Sequence, residues 1–163
     1  MSIKVLKKQG GFTLLELLIV IVIIGILALL IIPNVTSAPK KARDTQRKTD
    51  LRAIQKGLEE YYVSNSAYPT NATASSAATV LSGAADGKGT TGPLTTGTPA
   101  ILKPVPVDPK ASTTTPYTYV SADGTNYTLK ACLENNGDNA TGTAVDSTCG
   151  SATAKAFSLS SSN

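Results

Sequence analysis

The chain has 163 residues, 15 of them Lys or Arg and 11 Asp or Glu, so its formal charge is +4, and it contains no histidine. Beyond the apolar run that ends at Ile32, the remaining length suffices for one small domain and excludes two. Without histidine, and with only two cysteines, the sequence shows no acid-base or nucleophile arrangement of the kind that indicates an enzyme.

A lysine-bearing leader precedes a long apolar run. Segment 1–11 ends in two glycines, and after it Glu16 is the only charged residue as far as Ile32. As a helix this run is about 31 Å long, which matches the hydrocarbon thickness of a bilayer. The pattern therefore predicts a membrane-spanning helix over 12–33. The alternative is an ordinary secretory signal cleaved after Ala38. The apolar stretch of such a signal is shorter than the run observed here, and Pro39 directly after the cleavage point would hinder a signal peptidase.

Residues 10–33 resemble the class III leader and hydrophobic helix of type IV pilins and of the related pseudopilins of type II secretion. The resemblance implies cleavage by a prepilin peptidase after Gly11 and N-methylation of the new terminal amine on Phe12. It places Glu16 at the family's fifth mature position and Pro33 at its helix-bending proline, both with roles in assembly. Removal of the three leader lysines lowers the formal charge from +4 to +1, so no direct nucleic-acid binding is predicted.

A carboxylate within an apolar segment needs a physical reason. Burial of Glu16 near the bilayer centre costs about 2.5 to 3.5 kcal/mol on insertion scales, and such charges are rare and usually functional. The resemblance implies that Glu16 pairs with the Phe12 amine of a neighbouring subunit in an apolar filament core, where the attraction is stronger than in water. The alternative is a carboxylate that only reaches the lipid headgroups.

The resemblance implies an α+β fold, in which a long N-terminal helix packs on a small antiparallel β-sheet. It implies a structural, non-enzymatic subunit of a type IV pilus-like filament that serves adhesion, motility or uptake. The precursor would lie in the inner membrane with a cytoplasmic N-terminus. Its partners would be other copies through the N-terminal helices, the prepilin peptidase, and a membrane assembly platform with a cytoplasmic ATPase. The alternatives are a major pseudopilin of a periplasmic type II secretion pseudopilus and a membrane-anchored binding module that never polymerises.

The helix continues over 34–65 as an amphipathic half. Its apolar residues recur at helical spacing and predict a face that covers the core: Leu51, Ile54, Leu58, Tyr61 and Tyr62. The charged residues from Lys40 to Arg52 are predicted to form a solvated face with an i,i+4 pair between Asp44 and Lys48. Turn formers and Pro69 predict that the helix ends near Asn65.

The segment 66–116 is rich in Ala, Thr, Ser, Gly and Pro and is predicted to be a connecting loop, with a short helix at 77–81. Residues 117–163 are predicted to form the β-sheet region. Two alternating tracts, 117–120 and 127–133, are joined by Asp123–Gly124, which is typical hairpin chemistry. A third strand is expected over 154–159.

In the C-terminal region, the two cysteines and a group of oxygen-bearing side chains each allow two interpretations. In the exported domain that the resemblance implies, Cys132 and Cys149 are expected to form a disulfide that closes a pilin-like loop. The alternative interpretation, metal ligation by these cysteines, has less support, because structural zinc takes four nitrogen or sulfur ligands. Major pseudopilins commonly have a calcium-binding loop instead. Oxygen ligands for calcium are available, although turn formation explains the same residues: Glu134, Asn135, Asp138, Asn139 and Asp146. Apart from this calcium, no cofactor is expected.

Overall fold

The structure, a computed structural model, describes residues 11–84, 87–96, 99–110, 117–150 and 152–161, without the side chains of 30–36. The chain divides into two units, Met1–Ala38 and Pro39–Asn163. The predicted leader lies outside the described residues except for Gly11.

Helix α1 runs from Leu14 to Asn65. The predicted span and the predicted amphipathic half therefore belong to one helix. Its end coincides with the predicted one. Ser66 has a φ of 56°, in the left-handed region, and its N–H donates to the carbonyl oxygen of Tyr62 at 2.7 Å. This left-handed residue ends the helix and satisfies one of its last carbonyl groups.

Within the described residues, five antiparallel strands form one sheet in the order β1-β2-β3-β5-β4. Their bounds are β1 Asn71–Ser76, β2 Thr118–Ser121, β3 Thr128–Leu133, β4 Thr143–Val145 and β5 Lys155–Ser160. The predicted hairpin is β2–β3, in which Tyr119 lies opposite Leu129. Gly124 takes a φ of 77° in the turn, a conformation that favours glycine. The predicted third strand is β5, which pairs with β3 on one side and β4 on the other.

The core lies between α1 and the sheet. The helix contributes Leu51, Ile54 and Leu58, which are fully buried, as their spacing predicted. Side chains of β3 alternate between buried and more exposed positions, so one face of the strand joins this core. The aromatic and apolar partners in the same core include Tyr68, Tyr117, Tyr119, Tyr127, Leu129 and Phe157.

Two strands occur where the sequence predicts none. The segment 66–116 contains β1 and a helix α2, Ala77–Ser82, in addition to connecting loops. Helix α2 corresponds to the predicted short helix, whereas β1 has the sequence NATASS and no large apolar residue that could show a period of two. Its position comes from pairing with β2, with Ser75 opposite Tyr119. The short strand β4 lies inside the stretch between the cysteines.

Candidate assembly surface and buried charge cluster

The helix of the first unit exposes its large apolar side chains. Phe12 is 86% exposed and Leu14 is 82% exposed. The same exposure continues along the helix, at Leu15, Leu17, Leu18, Ile19, Val20, Ile21, Val22, Ile23, Ile24, Ile26, Leu27 and Leu29. A continuous exposed apolar surface of this kind marks an interaction with lipid or with other protein chains. We refer to residues 12–29 as the apolar surface.

In the part of the chain that the structure describes, no helix combines the length and the apolarity that a membrane crossing requires. The span over 12–33 stays a prediction from the sequence. The side chain of Pro33 lies outside the described part, so its role as a bending residue is also a prediction.

Thr13 and Glu16 form a reciprocal cap at the start of α1. The backbone N–H and the hydroxyl of Thr13 donate to Glu16 Oε2 at 2.9 and 2.7 Å. The backbone N–H of Glu16 donates in return to Thr13 Oγ1 at 3.2 Å. This arrangement is a capping box, and it places a carboxylate at the positive end of the helix dipole. Glu16 thus helps to cap the N-terminus of α1 in the single subunit, in addition to the assembly role that its position implies.

A buried ion cluster joins three parts of the second unit. Arg47 on α1 donates from Nε and Nη2 to Asp108, at 2.7 and 3.0 Å, and from Nη1 to Asp44 at 2.8 Å. Its Nη1 also lies 3.0 Å from Glu134 Oε1. Asp108 belongs to the segment before β2, and Glu134 follows β3. We call Arg43, Asp44, Arg47, Asp108 and Glu134 the Arg47 cluster.

The prediction of a solvated charged face was wrong at Asp44 and Arg47, which are each 2% exposed. The predicted pair between Asp44 and Lys48 was also wrong. Asp44 pairs with Arg47 and accepts the backbone N–H groups of Glu134 and Asn135, both at 2.9 Å. The reason is that the segment around Asp108 and the chain after β3 cover this side of the helix, and buried charges require such partners.

A spacing signal for this burial was present in the sequence. Asp44 and Arg47 precede Leu51, Ile54 and Leu58 at intervals of three, four, three and four, so they continue the apolar stripe of α1. A charged residue that continues a buried stripe needs a partner of opposite charge. The partner Asp108 could not be identified from spacing because it lies on a distant segment.

The charges of the cluster support one another. Burial acts against the charge of Arg47, but the hydrogen bonds to Asp108 and Asp44 outweigh it and raise the pKa of the guanidinium. Arg43 donates to both oxygens of Glu134 at 2.7 Å. This hydrogen bonding, opposed by partial burial and reinforced by Arg47, lowers the pKa of Glu134 to about 2.

Four of the five predicted calcium candidates face a basic side chain, whereas the side-chain oxygen of Asn135 accepts the backbone N–H of Gly137. Glu134 pairs with the two arginines, Asp138 pairs with Lys48, and Asp146 lies 2.9 Å from the Lys130 ammonium. Asn139 accepts from Lys155. Among the described residues, no group of three or more His, Cys, Asp or Glu is placed to hold a metal ion. A calcium site stays one of the two alternatives that the sequence left open, and calcium would have to displace these ammonium and guanidinium groups.

Cys132 on β3 and Cys149 are joined by a disulfide, with their Cα atoms 5.4 Å apart. The bond closes the stretch that contains β4 and a 3-10 turn at Ser147–Cys149. Val145 within this stretch is 62% exposed, so the loop has little core of its own. The disulfide therefore supplies a restraint that apolar packing does not.

A tyrosine cluster holds the end of α1 on the sheet. Its centre is Glu59, which the sequence analysis did not identify. Tyr68 and Tyr127 donate to the two oxygens of Glu59 at 2.9 and 2.8 Å. The ring centroids of Tyr68 and Tyr127 are 4.7 Å apart, with the rings edge to face. Tyr119 donates to the carbonyl oxygen of Pro69 at 2.6 Å. The Tyr68–Pro69 turn is thus bonded to both the helix and the sheet.

Comparison with known proteins finds similarity over part of the chain. Residues 6–32 match the family described as the prokaryotic N-terminal methylation motif. The type II secretion system core protein G of Pseudomonas aeruginosa is 47% identical over 64 residues, which are 39% of this chain and 45% of that protein. The core protein G of Vibrio cholerae is 45% identical over 67 residues, 41% and 46% of the two chains. That of Escherichia coli K12 is 46% identical over 63 residues, 39% and 43% of the two chains.

The methylation motif and these relatives support the assignment of the chain to the type IV pilin and pseudopilin family. The α+β architecture, with α1 packed on a five-stranded antiparallel sheet, is consistent with a pilin-like fold. The matched region spans less than half the length of the relatives. No solved structure matches the chain.

Proposed function

We propose that the protein is a structural subunit of a filament of the type IV pilus class, assembled from a membrane precursor. The observation that carries this proposal is the match of residues 6–32 to the N-terminal methylation motif, which covers the predicted cleavage point between Gly11 and Phe12. Both residues are exposed, so the peptide bond between them is accessible to a peptidase. The protein has a mechanical role and catalyses no reaction.

The relatives favour one form of this filament. They are named as core proteins of the type II secretion system, so we propose the major pseudopilin, the subunit of a periplasmic pseudopilus, as the first candidate. A surface pilus for adhesion, motility or uptake is the second candidate. The disulfide between Cys132 and Cys149 favours it, because a disulfide-closed C-terminal loop resembles type IV pilins.

Assembly would exchange one apolar environment for another. The apolar surface of the precursor would lie in the inner membrane, with the N-terminus in the cytoplasm, and would then be covered by the same surface of neighbouring copies. The prepilin peptidase would cleave after Gly11 and the Phe12 amine would be methylated. An assembly platform with a cytoplasmic ATPase would supply the energy for extraction.

Glu16 is proposed to guide this exchange. Both hydrogen bonds from Thr13 end on Oε2, and Glu16 is exposed, so Oε1 is accessible to the Phe12 amine of the next copy. In an apolar filament core this charge pair would set the register between subunits, because an unpaired carboxylate there is costly.

The substitution Glu16→Ala tests this role, with Glu60→Ala as the matched control, since Glu60 is an exposed carboxylate on the same helix. Filaments sheared from cells are quantified by immunoblot and electron microscopy, and subunit levels in the membrane are measured in parallel. We expect Glu16→Ala to lose most of the filament at normal subunit level and Glu60→Ala to retain it. Normal filament yield from Glu16→Ala would contradict the pairing. A non-polymerising membrane-anchored binding module would form no filament in any variant.

A further inference from the structure

The turn that follows β3 presents an asparagine directly before a glycine. Asn136 and Gly137 occupy the two central positions of this β-turn, and both are exposed. The N–H of Asp138 closes the turn by donating to the carbonyl oxygen of Asn135 at 3.1 Å. The side-chain amide of Asn136 is therefore held next to the main-chain nitrogen of a glycine, on the surface of the second unit.

Asn136 differs from the other asparagines whose side chains the structure describes. Within the described residues its side chain makes no hydrogen bond. The others each have a partner: the carbonyl oxygen of Tyr61 for Asn65, that of Thr73 for Asn71, the Ser161 hydroxyl for Asn126, the Gly137 N–H for Asn135 and the Lys155 ammonium for Asn139. None of those five precedes a glycine in the sequence. Asn136 is thus distinguished both by its free side chain and by its neighbour.

The main-chain nitrogen of Gly137 is open to approach. Glycine has no side chain that would shield this nitrogen, and a β-carbon placed at Gly137 would meet only Asn135 Oδ1, at 3.4 Å. The Gly137 N–H donates to the same Oδ1 at 3.2 Å, which is the long end of the usual range for such a bond. Because the turn is exposed, this proton exchanges with solvent.

We propose that Asn136 is a site of spontaneous covalent modification, at which the side-chain amide becomes a carboxylic acid through a cyclic imide. The Gly137 nitrogen loses its proton to solvent and bonds to Cγ of Asn136, and the Cγ–Nδ2 bond breaks as the amide nitrogen takes up a proton and leaves as ammonia. Water then adds to either carbonyl carbon of the imide and opens the ring. One opening gives aspartate, and the other gives isoaspartate, in which the main chain runs through Cγ. The turn favours the first step because it holds the two reacting groups together.

The modification changes the contact between the turn and α1. Asp138 pairs with Lys48 of α1 at 2.5 Å, and its carbonyl oxygen accepts from Lys155 at 2.6 Å. A carboxylate at position 136 adds a negative charge two residues from these ammonium groups, and isoaspartate also lengthens the main chain of the turn. The disulfide between Cys132 and Cys149 keeps the stretch closed on both sides of the turn, so the change is local.

The test uses the full chain with its disulfide intact, incubated in non-ionic detergent and mildly alkaline buffer made with heavy-oxygen water. Reduction and rapid tryptic digestion at mildly acidic pH release the peptide 131–155, which lies between Lys130 and Ala156. Mass spectrometry with electron-transfer fragmentation locates the incorporated heavy oxygen and distinguishes aspartate from isoaspartate. Near-UV circular dichroism of the tyrosines confirms that each protein is folded during the incubation.

Two variants separate the roles of the glycine and of the free side chain. Gly137→Ala shields the nitrogen, and the fold accepts it because Gly137 has no positive φ and the added methyl group has room. Ala140→Gly is the matched control, since it places a glycine after Asn139, whose side chain is held by Lys155.

We expect heavy oxygen at Asn136 of the unmodified chain, as both aspartate and isoaspartate, and loss of this label in Gly137→Ala. Ala140→Gly should keep the label at Asn136 and gain much less at Asn139. An unlabelled Asn136, the same label at Asn136 in Gly137→Ala, or equal labelling of Asn139 and Asn136 in Ala140→Gly would overturn the proposal. The assay involves no filament, so its outcome is independent of the proposed function.

Discussion

Arg47 and Asp108 are 61 positions apart in the chain and form a two-pronged ion pair, with N–O distances of 2.7 and 3.0 Å. Their side chains are 2% and 4% exposed. The pair bonds the segment before the sheet to the long helix. Such a pair specifies one arrangement of these segments, because either charge alone would be buried without a partner.

Loss of one partner from this pair should destabilise the second unit strongly. We expect Asp108→Ala to lower the free energy of unfolding by about 3 to 5 kcal/mol, because it leaves Arg47 buried with fewer acceptors. Urea unfolding of the full chain in detergent, followed by tyrosine circular dichroism, measures the change. The control Glu60→Ala removes an exposed carboxylate and should stay within about 0.5 kcal/mol. A loss below about 1 kcal/mol for Asp108→Ala would show that the cluster is not a main restraint.

The disulfide should contribute to stability by restricting the unfolded chain. We expect the double substitution Cys132→Ser/Cys149→Ser to lower the free energy of unfolding by about 3 kcal/mol. Reductant provides the control, since it should lower the stability of the unmodified chain to that of the double variant and leave the variant unchanged. An unmodified chain that unfolds identically with and without reductant would argue against the bond as a restraint.

Acid should weaken the second unit through Glu134. Its pKa is lowered to about 2 from 4.5, so its stabilising contribution is complete above the unfolded value and is lost as the pH falls from about 5 toward 2. We expect Glu134→Gln to be less stable than the unmodified chain at pH 7 and to show a smaller further loss across this window. Unfolding free energies measured at several pH values test it, with Glu60→Gln as a control that should keep the original pH profile. Parallel profiles for the unmodified chain and Glu134→Gln would contradict the assignment.

Calcium should have no effect on thermal stability. The oxygen atoms that would bind it already face Arg43, Lys48 and Lys130, so chelator or millimolar calcium should leave the melting temperature unchanged. Lys130→Gln should lower the melting temperature in both conditions by a similar amount, because Asp146 loses its ammonium partner. A melting temperature that rises with calcium and not with magnesium would establish a calcium site in the loop between the cysteines.

The sequence predicted the elements that follow a strong period and missed those held by contacts at a distance. The core face of α1, its end at Asn65 and the β2–β3 hairpin each have a local signal. Strand β1 has none, because its six small and polar residues are defined only by pairing with β2. At the Arg47 cluster, the sequence predicted a solvated face and missed the burial of Arg47, although its helical spacing continues the apolar stripe. The identity of its partner Asp108 depends on how the intervening chain folds back.

Mass spectrometry of the N-terminus of filaments purified from cells tests the central claim most directly. We predict filaments visible by electron microscopy, whose subunits begin at Phe12 with one additional methyl group on the amine. Subunits that begin at Met1 and stay monomeric when detergent is removed would contradict the account.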